Sequence, residues 1–220
     1  LRTLSNNVVE DVPASQENKF QVNISAKDLS HDDRKMLNSI YWRSFTEYCF
    51  WAGEAEAGSD GFIYSLMPAL KRFYKEKEDR TKAMVRHTTW FNMTENVSTF
   101  VMGLVAAMEK ENSETENFDV SSINAVKASL MGPLSGIGDA VFWGVLRVIA
   151  AAIGISIGST GSPLGPILFL LIYNVPSMLC RWWMLILGYK LGSSFLSKAY
   201  ESGVMGIIMK AASILGLIMI

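Results

Sequence analysis

The chain has 220 residues, with 20 basic against 21 acidic side chains, and this near-neutral balance speaks against a nucleic-acid binder, which needs a net basic face. Half of the residues are apolar, which excludes a disordered chain. Only seven of the charged residues lie beyond position 127, and that drop marks a change of solvent: the first part reads as water-facing or interfacial, the second as membrane-embedded.

Residues 1–28 read as a polar N-terminal arm, with no basic and apolar pattern of a cleavable secretory signal expected in them. Ser30-His31-Asp32-Asp33 has the form of a capping box with Asp in place of Glu, and Met36, Leu37, Ile40 and Tyr41 follow at helical spacing, so a helix starts here. From Tyr41 to Trp51 the aromatic density suits either headgroup level or a tight helix interface, although an ordinary core helix explains the spacing nearly as well. Gly58 to Gly61 is a break. Phe62 to Tyr74 resumes helical spacing with Pro68 inside it, which predicts a kink or a first turn. The mixed charges of Lys71 to Arg86 predict a solvated helical face whose basic side also suits anionic lipid.

Val97 to Met108 is apolar for only about a dozen residues, too few to cross roughly 30 Å of hydrocarbon at 1.5 Å per residue. It is expected to be a buried or re-entrant helix, with residues 109–122 as a water-facing loop. Ala140 to Gly158 and Leu164 to Tyr189 are long enough to span, and Gly203 to Ile220 begins a third span that ends without a polar flank. Arg147 and Arg181 inside these runs each cost roughly 2.5 to 3.5 kcal/mol on insertion scales, so internal polar surface is expected. For Arg181 the alternative is snorkelling to a helix end, beside the Trp182–Trp183 pair.

Between the two parts lies Ser129 to Asp139, with three glycines and a proline within seven residues. This composition predicts unwound backbone lining a polar cavity, because exposed N–H and C=O groups of a broken helix can hold a solute. A helix-packing hinge is the bland alternative; a dinucleotide loop is disfavoured, since no strand precedes it. Asp139 is expected either to accept hydroxyls or to pair with Arg147 across a bend. The stretch His87 to Asn96 gathers amide, hydroxyl and carboxylate groups beside Trp90 and Phe91. That is the equipment for a sugar, which offers hydroxyls and an apolar ring face, although Thr94 or Asn96 also suits a helix cap. Cys49 and Cys180 give neither a disulfide framework nor a metal pair, and no cofactor or metal site is expected.

These residues resemble the IID membrane subunit of the mannose/fructose/sorbose class of the bacterial sugar phosphotransferase system (PTS). The resemblance is carried by Trp42-Arg-Ser-Phe45, Gly61-Phe62, Met67-Pro-Ala-Leu-Lys71, the charged run ending in Arg86-His87, Phe91-Asn92, Ala106-Ala-Met-Glu109, and above all Met131-Gly-Pro-Leu-Ser-Gly-Ile-Gly-Asp139. It implies an all-α membrane protein with amphipathic N-terminal helices, a re-entrant helical hairpin and several transmembrane helices. Residues 1–28 would be an arm, 29–128 the amphipathic and re-entrant part, and 129–220 the glycine hinge and spans, shorter than the family's usual C-terminal region. It further implies a multi-pass protein of the bacterial cytoplasmic membrane that forms a hexose path with a homologous IIC subunit, in an oligomer of IIC–IID pairs. Cytoplasmic IIA and IIB proteins carry the phosphoryl group, so this subunit is expected to hold no phosphorylated residue. The candidate substrate residues are Asn92, Thr94, Glu95, Asn96, Ser135, Gly136, Gly138 and Asp139. The competing expectation is a scaffold that stabilises IIC and docks IIB without touching sugar.

Overall fold

A computed structural model describes residues 28–49 and 58–192. The polar arm, Phe50, Trp51 and the stretch from Gly203 fall outside the described residues. Within the described residues the chain is helical: α1 (His31–Ser44), α2 (Ser59–Phe73), α3 (Lys77–Arg86), α4 (Glu95–Glu114), α5 (Ser121–Gly138), a π-helical segment (Asp139–Leu146), α6 (Arg147–Gly158) and α7 (Leu164–Leu191).

The capping box at the start of α1 forms, and then does more than cap. Ser30 Oγ accepts the Asp33 N–H at 3.0 Å and donates to its carboxylate at 2.7 Å. The same carboxylate accepts the Tyr189 hydroxyl at 2.9 Å and pairs with Arg72 at 2.8 Å. One acid therefore ties α1 to α2 and α7. Pro68 sits inside α2 without ending it. Lacking an N–H, it leaves the carbonyl of Tyr64 without its helical donor, and Arg43 Nη1 reaches that oxygen at 3.3 Å.

The core is organised around α4, whose residues Asn96 to Ala106 are all buried. The helix is longer than its apolar run suggests, about 30 Å at 1.5 Å per residue. Its backbone lies directly on that of α7, because Gly103 faces the Leu185 carbonyl and Gly188 faces the Phe100 carbonyl at distances that leave no room for a Cβ. Small residues at such a crossing let two helices approach to backbone contact, the device membrane helices use when lipid supplies no hydrophobic drive. The α6–α7 hairpin repeats it, with Gly154 against Gly165.

Two expectations are corrected here. Of residues 109–122 only 115–120 form a water-facing loop: α4 continues to Glu114, α5 starts at Ser121, and Glu109 is fully buried. Ser129 to Asp139 is not unwound either, because α5, the π-helical segment and α6 run without a break from Ser121 to Gly158. Tertiary packing outweighs the local cost of Gly and Pro, and Pro133 is accommodated inside α5 as Pro68 is in α2. The position 128/129, where the sequence suggests a division, falls within α5. Ser121–Gly158 and Leu164–Leu191 are the two described helical stretches long and apolar enough to cross a membrane.

Gly188→Val should lower the thermal stability of the detergent-solubilised protein by about 3 kcal/mol or more, since the new Cβ meets α4 backbone that cannot yield. Gly136→Ala, where a Cβ meets nothing within 4 Å, should instead stabilise by about 0.5 to 1 kcal/mol. Thermal melts of the two variants check the contrast.

Candidate functional site

The segment between α3 and α4 runs non-helically past α5, and an open cavity of about 680 Å³ lies between them. Met131, Ser135, Asp139 and Trp143 face it from one side, at intervals of four. In an α-helix a four-residue step overshoots the 3.6-residue turn, so such a row drifts around the axis. The wider i→i+5 winding that begins at Asp139 turns the backbone the other way, which keeps Trp143 on the cavity side. Trp90, Asn92 and Glu95 face them from the other side.

Thr94 joins the two walls. Its hydroxyl donates to Asp139 Oδ1 at 2.6 Å, with the Ser135 carbonyl 3.2 Å away, and its N–H points to Ser135 Oγ at 3.4 Å. The cap reading of Thr94 therefore applies to its backbone alone: the carbonyl accepts from Val97 and Ser98, while the side chain is spent across the site. Gly138 makes this approach possible, since a Cβ there would stand 2.8 Å from Thr94 Cβ. Tyr48 pins the opposite wall, accepting the Met93 N–H at 2.8 Å and donating to the Met93 carbonyl at 2.5 Å, with Asn92 Oδ1 3.3 Å from the same hydroxyl.

The structure thus brings Asn92, Thr94, Glu95, Ser135 and Asp139 to one cavity. It does not bring Asn96 there: this amide is buried on another face of α4, where it donates to Ser177 of α7. Gly136 and Gly138 do not line the cavity, and Gly132 does. Tyr48 and Trp143 also line it without having been singled out from sequence. The four-residue spacing from Met131 was the available signal for Trp143, whereas Tyr48 arrives through a contact no local pattern encodes. Asp139 takes Thr94 as its partner, and Arg147 lies instead 4.4 Å over the Trp143 ring.

A second polar cluster lies behind the non-helical segment. Fully buried Glu109 accepts from the Tyr74 hydroxyl at 2.6 Å and from His87 Nε2 at 2.8 Å, and Arg86 Nε stands 3.3 Å away without a well-aligned N–H. A carboxylate only accepts, so His87 carries its proton on Nε2, leaving Nδ1 buried and unpartnered. Burial holds the imidazole below its ordinary value against the pull of Glu109. Burial alone would raise Glu109, but its hydrogen bonds from His87 and Tyr74 and the Arg86 charge hold it below the usual carboxylate range. His87 is thereby an internal residue, not one at a partner-facing surface. Lys127 closes the cluster, 4.5 Å over the Phe62 ring and 3.3 Å from Thr89 Oγ1.

With this geometry in hand, comparison with known proteins is informative. A model of the PTS mannose/fructose/sorbose family IID component matches residues 33–220. The chain is 40% identical over 157 residues to the sorbose-specific EIID component of Klebsiella pneumoniae, covering 71% of this chain and 57% of that protein. It is 37% identical over 158 residues to the mannose-specific EIID component of Escherichia coli K12, covering 71% and 56%. The chain therefore spans a little over half the length of these relatives. In structure it resembles the mannose transporter ManYZ seen by cryo-electron microscopy in complex with microcin E492, with a TM-score of 0.71 at 32% identity over 84% of this chain and 67% of that one. The protein is an all-α membrane protein.

The Glu109 cluster sets a pH dependence of definite sign. Below the ordinary imidazole value of 6.5 the unfolded chain takes up a proton that buried His87 refuses, so this contribution to stability falls as pH falls. Glu109 adds a second loss in the same direction, further down through its depressed folded value. His87→Gln keeps one N–H donor and removes the first loss. From pH 7.5 to 5.5 wild type should therefore lose melting temperature relative to the variant. Glu109→Gln removes the buried charge that faces His87 and Arg86 and should cost about 1 to 3 kcal/mol at pH 7.5.

Proposed function

Because the chain belongs to the mannose/fructose/sorbose family of PTS IID components, we propose that it is a sugar-translocating membrane subunit whose Thr94–Asp139 cavity binds a neutral hexose. The observation that carries this reading is the convergence of Asn92, Glu95, Ser135 and Asp139 between two tryptophans around one open space. Carboxylates, an amide and a hydroxyl match a ring of hydroxyl groups, and Trp90 and Trp143 offer faces for its apolar side. Among the described residues two carboxylates and no cation line the cavity, which favours a neutral sugar over its phosphate ester. A site of this kind takes up substrate and disfavours the phosphorylated product.

In this proposal the open side of the cavity is closed by a IIC subunit, in an oligomer of IIC–IID pairs within the bacterial cytoplasmic membrane, and the IIA and IIB proteins supply the phosphoryl group.

Asp139→Asn keeps an acceptor for Thr94 and removes only the charge; Asn92→Ala removes an amide at the cavity wall. Each should raise the half-saturating sugar concentration for uptake about tenfold, the weight of one hydrogen bond of about 1.4 kcal/mol, while the IIC complex still purifies intact. Uptake that keeps its wild-type sugar dependence in both variants would return the subunit to a scaffold role.

A further inference from the structure

The cavity wall opposite α5 depends on Tyr48, and Tyr48 depends on a turn that another helix holds in place. Arg181 lies well inside α7, is only 5% exposed and points inward, so snorkelling to a helix end does not account for it. Its Nη2 donates to the Ser44 carbonyl at 2.6 Å and reaches Ser44 Oγ at 3.0 Å. Ser44 is the last residue of α1, so that carbonyl is one of the groups a helix C-terminus leaves without an intrahelical donor. A cation there also complements the helix dipole. The same guanidinium stacks 4.5 Å over the Phe45 ring, the planar contact an arginine makes and a lysine does not.

Two further contacts fix the turn beyond Ser44. The carboxyl of Glu47, 1% exposed, accepts the Ser98 hydroxyl of α4 at 2.6 Å. Its backbone carbonyl lies so close to Gly61 of α2 that no side chain fits there. Burial pushes the Glu47 carboxyl up to about 8, against the pull of Ser98 and Arg181, which leaves it mostly protonated at neutral pH. The next residue is Tyr48, whose hydroxyl clamps Met93 at both its N–H and its carbonyl beside Asn92. A continuous line of contacts runs from α7 through α1 to the cavity, although Arg181 lines no part of it.

We propose that Arg181 is a positioning residue for the sugar cavity, setting through the Ser44–Tyr48 turn where Tyr48 holds Asn92 and Met93 against α5. The inference rests on the reading of that cavity as the sugar site. The physical reason for an arginine inside an apolar helix is then specific. Its insertion cost is offset by capping α1 and stacking on Phe45, and the order it imposes is delivered to the wall that meets substrate.

The test uses the full chain with its membrane partner and sugar uptake as one readout, with hydrogen exchange at residues 44–49 and 90–94 as the other. Arg181→Met, which keeps bulk and removes the donors, should raise the half-saturating sugar concentration about tenfold with the maximal rate held within twofold. It should also speed exchange in both segments. Arg181→Lys, which keeps the charge and loses the stack, should recover part of both effects. Tyr48→Phe should match Arg181→Met in uptake, and the double variant should be no worse than either single, because both act on one line of contact. Additive losses, or unchanged exchange at 90–94 in Arg181→Met, would overturn the positioning role. Faster exchange at 90–94 with an unmoved sugar dependence would keep the strut and refute the cavity as the sugar site. Should Arg181→Met fail to fold, Arg181→Lys and Tyr48→Phe carry the same comparison.

Discussion

Backbone contact between α4 and α7 is the constraint on which the rest of the molecule depends. Two glycines, Gly103 and Gly188, remove the side chains that would hold the helices apart. Once the axes are this close, polar groups placed inside apolar sequence find partners across the crossing. Thr99 donates to the Arg181 carbonyl at 2.8 Å and Asn96 donates to Ser177, while Tyr189 at the end of α7 reaches Asp33 of α1. Each of these groups would be costly in hydrocarbon if it stood alone. The crossing turns them into fixed points, and the position of Arg181 relative to α1 follows from it.

Elements with a strong local signal were legible in the sequence. Ser30 to Asp33 capped a helix because the hydroxyl and the amide it satisfies lie within three residues. The buried character of Val97 to Met108 followed from a run too apolar for solvent and too short to span. What the residues could not reveal was where charge enters the interior. Glu109 ends that run and looks like the start of a water-facing loop, yet it is buried because Tyr74 and His87, 35 and 22 positions earlier, converge on it. Arg181 had the same ambiguity, settled by the distant Ser44.

The glycine-rich string shows where composition misleads about conformation and still points to the right place. Three glycines and a proline argued for unwound backbone, and the segment is helical. Gly138 is needed for closeness, since it lets the Thr94 side chain lie against α5; Gly136 faces open space. The proximity to the Asn92 segment came through because both segments carry small and polar residues where an apolar chain would have packed dry. Asn96 was grouped with its neighbours by sequence adjacency, but one helical step past Glu95 points to another face.

The π-helical segment sets which residues of a continuous helix face the cavity. A regular α-helix would carry Trp143 a further step around the axis from Met131, Ser135 and Asp139, and the cavity would lose one of its aromatic faces. Widening the helix over Asp139–Leu146 keeps the row aligned at the cost of poorer backbone hydrogen bonds, and such segments concentrate at functional sites. α-Helical winding over that segment would turn Trp143 away while leaving the Thr94–Asp139 contact, which is set by α5, in place. The cavity wall that the sequence suggested as unwound glycine backbone is set instead by the register of a continuous helix.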